Sequence, residues 1–149
     1  MRILINNESC IFILYSVFMK LALSNRTKIF LVLFCLLLSI IGFLVKLPSA
    51  FRHIDKELHT AFYFLAAAFL NILFTNNRIS IHVFIFLLLF LFGISIEFAQ
   101  DYSNKLFHTR IHGRFDWEDV QANVKGLLAF SILWIIYRFC IWVYKKAGT

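Results

Sequence analysis

Long apolar runs separated by short polar breaks organise this chain, and their lengths predict helices that cross a lipid bilayer. The first run, residues 29–47, is interrupted only by Ser39, Gly42 and Lys46, and the lysine amine can reach back to the interface along its own aliphatic stem. A second covers residues 58–74, between the charged stretch Arg52-His53-Ile54-Asp55-Lys56-Glu57 and the turn-forming Thr75-Asn76-Asn77-Arg78. The third, residues 79–98, reads as apolar on every side until Glu97, the pattern of a helix surrounded by lipid and other spans. The fourth, about residues 120–144, ends in Trp134, Tyr137, Trp142 and Tyr144, followed by Lys145 and Lys146. Aromatic residues followed by lysines mark a membrane–water boundary. A span needs about 20 mostly apolar residues, so the pattern accounts for four.

The first 24 residues fit this scheme less well. Residues 10–19 are apolar but too short to span, Lys20 interrupts them, and the cleavage pattern after Met19 is poor for a signal peptide. The expectation is an interfacial helix within an N-terminal extension, residues 1–24, followed by a four-span domain, residues 25–149. Met19 is also a second candidate initiator that leads directly into the first span.

Composition narrows the class. Of 149 residues 61% are hydrophobic and 15% charged, against roughly 45–50% and about 25% in soluble domains. With 19 Phe, 5 Gly and 1 Pro, the chain is neither disordered nor a turn-rich sandwich. The expected fold class is all-α, an integral membrane four-helix bundle. The net charge of +7 comes from basic residues scattered between apolar runs, which argues against a nucleic-acid stripe and for contact with anionic headgroups. Cys10, Cys35 and Cys140 lie in apolar stretches without CxxC spacing and read as small hydrophobes.

Four spans put both ends of the domain on one side. If that side is the cytoplasm it holds Arg2, Lys20, Arg26, Lys28, Arg78, Arg138, Lys145 and Lys146, eight of the fifteen basic residues and only a slight positive-inside bias. Seven of the eight acids fall on the other side. The polar chemistry is therefore expected on one face.

Three polar groups stand there at span ends. Asp55, His59 and Tyr63 recur at intervals of four and share a helix face. Glu97 and Gln100, three apart, share another. Arg114, Asp116, Asp119, Asn123 and Gly126 lead into the fourth span, the last three on one stripe. Each has a plain structural reading beside the functional one. Asp55 and Asp116 can be helix caps, Gly126 a close-packing position, His59 and Tyr63 interfacial or packing residues, and Asn123 interhelical glue. Glu97 ends a long apolar run, where a carboxylate needs a partner, and Arg114 and Lys56 are the candidates. Lys125, inside the fourth span, must snorkel or pair with an acid.

His108 and His112 with Asp116 are spaced for metal binding on a helix, but the stretch is loop-like, carries Gly113 and lacks the Glu of HExxH. No metal and no cofactor is expected. Ser/His/Asp, GxSxG, P-loop and dinucleotide fingerprints are all missing.

Together these motifs resemble the VanZ-like family of small bacterial multi-pass membrane proteins, named for a teicoplanin-resistance protein. The resemblance rests on Asp55-Lys56-x-x-His59 with Tyr63 following, on Glu97-x-x-Gln100, and on Arg114-Phe115-Asp116-x-x-Asp119-x-x-x-Asn123-x-x-Gly126, and covers about residues 28–144. The segment from Gln100 to Arg114 is longer than the family's usual link, and Lys125 stands where a small or apolar residue is expected. The resemblance implies a four-helix protein of the cell envelope with a link to glycopeptide sensitivity, and no established reaction. The expectation that follows is a protein of the bacterial cytoplasmic membrane, both termini in the cytoplasm, with membrane lipids and a lipid-linked envelope component as partners. Asp55, Lys56, His59, Tyr63, Glu97, Gln100, Arg114, Asp116, Asp119 and Asn123 would line an acidic pocket on the outer face, Arg114 matching a phosphate or carboxylate. The alternatives are an enzyme acting on a lipid headgroup, with Glu97 or Asp116 as base and His59 as acid, and a structural subunit of a membrane complex.

Overall fold

The structure, a computed structural model, describes residues 23–44, 54–75, 78–106 and 115–147. The expected interfacial helix, the His108/His112 pair and Arg114 lie outside the described residues. Four helices follow in order: α1, Asn25–Leu44; α2, Asp55–Phe74; α3, Ile79–Leu106; and α4, Trp117–Ala147. All four are long and apolar enough to cross a membrane. At 1.5 Å per residue α2 extends about 30 Å and α3 about 42 Å, against a hydrocarbon layer of about 30 Å. The chain is thus an all-α four-helix bundle with the features of a multi-pass membrane protein.

Local chemistry sets the helix starts. Ser24 caps α1, its hydroxyl accepting the Thr27 amide at 3.2 Å while its carbonyl accepts Lys28 N–H at 3.0 Å. Asp116 caps α4, its Oδ1 accepting the Glu118 amide at 2.8 Å. The capping reading of Asp55 is corrected: the cap position of α2 is Ile54, no side chain caps it, and Asp55 stands inside the first turn. Its carboxylate is left for other work. The third helix also continues beyond Phe98 to Leu106. Polar residues there hid the continuation, but Asp101 and Lys105 pair at 2.7 Å across one turn, which favours helix without apolar periodicity.

The core is Tyr63 and Ala67 of α2, Ile85 and Leu89 of α3, and Leu127, Phe130 and Trp134 of α4. The tightest seam joins α2 to α4 at Gly126, where a Cβ would lie 2.2 Å from the Thr60 carbonyl oxygen. Thr60 Oγ1 fastens the same seam, 3.1 Å from the Ala122 carbonyl. Small residues permit this approach of backbones, which is how helices associate where no hydrophobic driving force separates them from lipid.

Helix α1 packs more loosely. Ile29, Phe30, Leu33, Phe34, Leu37 and Ile41 are each at least half exposed, an apolar surface suited to lipid and not to water. It docks chiefly through Phe43, whose ring meets His59, Phe62 and Tyr63 at 4.9–6.3 Å between centroids. At the other end Lys28 lies over the Phe74 ring. The end of α1, the start of α2, the end of α3 and the start of α4 therefore gather at one end of the bundle.

A polar cluster closes the opposite end. Asn71 Nδ2 donates to the Ala67 carbonyl at 2.8 Å, and Asn71 Oδ1 accepts from Thr75 Oγ1 at 2.6 Å and from His82 Nδ1 at 2.8 Å. The second ring nitrogen of His82 meets Ser131 Oγ at 3.2 Å, and its ring stacks on Trp134 with centroids 4.3 Å apart. This cluster ties α2, α3 and α4 together.

Candidate functional site

The acidic end is assembled from three helices. From α2, Asp55 and His59 stand one turn apart with Asp55 Oδ1 4.0 Å from His59 Nε2. From α4, Asn123 brings its Oδ1 to within 2.9 Å of His59 Nδ1, so the ring nitrogen donates and the amide oxygen accepts. Asp119, one turn earlier on α4, faces the same space: Asp55, His59 and Asp119 each offer a ligand atom, all within 4.8 Å of one another. From α3, Glu97 reaches in beneath them, interacting electrostatically with Asp119, His59 and Asp116.

Burial distinguishes this cluster from a surface patch. Glu97 is 1% exposed, Asn123 2%, His59 7% and Tyr63 0%, whereas Asp55 and Asp119 are half-buried. Glu97 Oε2 accepts a long hydrogen bond, 3.4 Å, from the Asp116 amide. Its other oxygen, Oε1, and the Tyr63 hydroxyl are sealed from solvent and have no partner among the described residues. A buried polar oxygen left unpaired costs about 1–3 kcal/mol, so two in one region need a reason.

The remaining expected residues distribute around this centre. Gln100 turns toward α1 and donates from Nε2 to the Phe43 carbonyl at 2.7 Å. Asp116 is held as the α4 cap. Lys56 pairs with Glu118 instead of Glu97. It lines a separate groove along the α2/α4 seam with Thr60, Phe64, Gln121, Ala122 and Lys125. Lys125 is exposed there, extending from the helix surface as a snorkelling lysine does.

Two positions were not singled out by the sequence. Gly93 lies one turn before Glu97, and a Cβ there would come within 2.8 Å of Asn123 Nδ2 and 3.0 Å of the Tyr63 hydroxyl. Its bare backbone is what leaves room for those two groups. Spacing held the signal, since a glycine four residues before a buried acid shares its helix face. Phe43 covers His59 and Tyr63 from α1, a contact that nothing in the pattern of a uniformly apolar helix announces.

The arrangement can accept and donate hydrogen bonds, and can bind a cation or the polar part of an amphiphile. The hydroxyl of Tyr63 lies within it, sealed from solvent. No family model, no curated protein and no solved structure matches the chain.

Proposed function

We propose that the protein binds the polar head of a membrane amphiphile at the acidic end of its bundle, as a non-enzymatic multi-pass protein of VanZ-like type. The observation that carries this reading is the pair of sealed oxygens, Glu97 Oε1 and Tyr63 Oη, unpartnered among the described residues, whose other buried side-chain polar atoms find partners. A ligand offering donors would satisfy both. Asp55, His59, Asp119 and Asn123 lie within the first two turns of α2 and α4, with Tyr63 one turn deeper, so the site opens near the depth of lipid headgroups and a molecule anchored in the bilayer reaches it laterally. On this reading the protein resides in the bacterial cytoplasmic membrane, its acidic end faces outward, and its ligand is a lipid-linked envelope component whose binding affects glycopeptide sensitivity.

Mass spectrometry of lipids that co-purify with the protein tests the reading. A species retained by wild type and missing from Glu97→Gln at equal protein yield is expected; identical lipid profiles would refute it. Loss of function in both Glu97→Gln and Asp119→Asn with lipid retained would favour the headgroup enzyme, and full function in both would leave a scaffold. Orientation is tested with cysteines at Asn104 and Asn76, expected to label from outside and from the cytoplasm respectively. Labelling of both from one side would overturn the four-span arrangement.

A further inference from the structure

His59 is held in a way that hydrogen bonding alone does not explain. Asn123 Oδ1 can only accept, so the His59 Nδ1 that faces it at 2.9 Å carries the proton. The other ring nitrogen, Nε2, points toward Asp55 Oδ1, 4.0 Å away and beyond hydrogen-bond distance. Asp119 faces the same point. Beneath lies Glu97, nine-tenths and more buried, with one oxygen unpartnered. Asp55 and Asp119 thus bring two half-buried carboxylates to one point beside an imidazole nitrogen, with the buried Glu97 close enough to interact electrostatically with Asp119 and His59. The nearby Lys56 is engaged with Glu118.

We infer that Asp55, His59 and Asp119 bind a divalent transition-metal ion, with the buried Glu97 beside them. An ion with bonds of about 2.1 Å holds neighbouring ligand atoms roughly 3.0–3.5 Å apart. The ligand atoms here all lie within 4.8 Å of one another, and the aspartates that would have to move inward to close on an ion are both only half-buried. Mixed imidazole and carboxylate donors suit manganese, iron or zinc better than calcium or magnesium, which take oxygen alone. Asn123 has the part usually filled by an outer hydrogen-bond partner, fixing the tautomer and the ring plane of the ligating histidine. A proton on Nε2 would bring one positive charge to the cluster; a divalent ion brings two and engages three side chains at once. The ligands come from the starts of two helices, α2 and α4.

The two helix N-termini could instead stabilise the carboxylates through their dipoles with no ion at all, and this rival makes a different prediction. Untagged protein in detergent, stripped with chelator, is titrated with Mn2+ while the electron paramagnetic resonance signal of the free aqueous ion is followed. One bound ion per chain is expected, displaced by Zn2+, with affinity falling roughly a hundredfold in Asp55→Asn and Asp119→Asn and unchanged in Ser131→Ala at the far end. The bound Mn2+ should also show nitrogen hyperfine coupling from one imidazole, lost in His59→Gln. Failure of wild type to bind at 1:1 in the range of about 1 mM or below, wild-type affinity in both aspartate variants, or nitrogen coupling that survives His59→Gln would each overturn the inference. The wild-type spectrum decides even if a variant does not fold. Binding needs no amphiphile, so this inference and the lipid-binding proposal can fail separately.

Discussion

The bundle carries two buried polar clusters, one at each end of α2, built from similar residue types yet finished differently. At the far end Asn71, Thr75, His82 and Ser131 close on one another and on backbone carbonyls at 2.6–3.2 Å. At the acidic end His59 and Asn123 pair, but Glu97 Oε1 and the Tyr63 hydroxyl are left without partners, and Asp55 and Asp119 converge on the same small space. Histidine and asparagine inside a span are therefore not in themselves marks of function. The difference lies in completeness: a closed network glues helices, whereas an open one stores unsatisfied polar groups that a ligand can complete. That contrast yields opposite expectations for stability and for binding.

The largest effect should come where the two ends share a support. Gly126 sets the α2/α4 distance on which both clusters depend, and even a Cβ would fall 2.2 Å from the Thr60 carbonyl. Gly126→Leu should cost about 3 kcal/mol or more, because the obstacle is backbone and cannot swing aside. Thermal unfolding in detergent and size-exclusion profiles would register it as loss of the folded monodisperse protein. A variant that melts like wild type would mean that the seam is not tight and that the clusters do not share it.

Next in size is the closed cluster. Asn71→Leu removes the acceptor of both Thr75 and His82, leaving two buried donors unpaired, and should cost about 2 kcal/mol. Lipid and Mn2+ binding at the acidic end should persist in the surviving folded protein. If binding disappears with no loss of stability, the assignment of glue to one end and ligand to the other is reversed.

The open cluster should respond in the opposite sense. Glu97→Gln keeps the volume and the acceptor for the Asp116 amide while removing a carboxylate from an acid-rich, buried place. Stability should change by less than about 1 kcal/mol, since little native bonding is lost. Ligand retention is what should fall. A large drop in melting temperature would identify Glu97 as a structural member of the bundle and remove the distinction between the ends.

Much of this was legible in the chain, and the unread parts have physical causes. Apolar runs located all four helices because a span must be apolar along its whole length, and Gly126 and Asn123 were readable as packing positions on one stripe. Asp55 and Asp116 looked alike in sequence, each an acid at a helix start, yet only Asp116 accepts a capping amide. Cap geometry depends on where the helix actually begins, which shifts by one residue without altering the pattern. The far cluster went unread because Asn71 and His82 sit in separate apolar runs, and their 2.8 Å contact forms only when the turn between α2 and α3 folds back. The meeting of Asp119 with Asp55 and His59 likewise depends on helix rotation, which an apolar helix with little amphipathic bias does not encode.

The smallest effect is the finest test of closure. Ser131 Oγ lies 2.8 Å from the Leu127 carbonyl and 3.2 Å from the His82 ring, so it is the last link that joins α4 to the far cluster. If the network is closed, Ser131→Ala removes one interhelical hydrogen bond together with the bond to its own helix at the Leu127 carbonyl, at a cost of about 0.6 kcal/mol for the interhelical contact. Paired with Asn71→Leu in a double-mutant cycle, the loss should be less than additive, since the asparagine variant has already freed His82 to turn away from the serine. Strict additivity in unfolding measurements would mean that Ser131 acts alone on its own helix, and that α4 joins the far cluster through the stacking of Trp134 on His82 and not through the hydrogen-bond network.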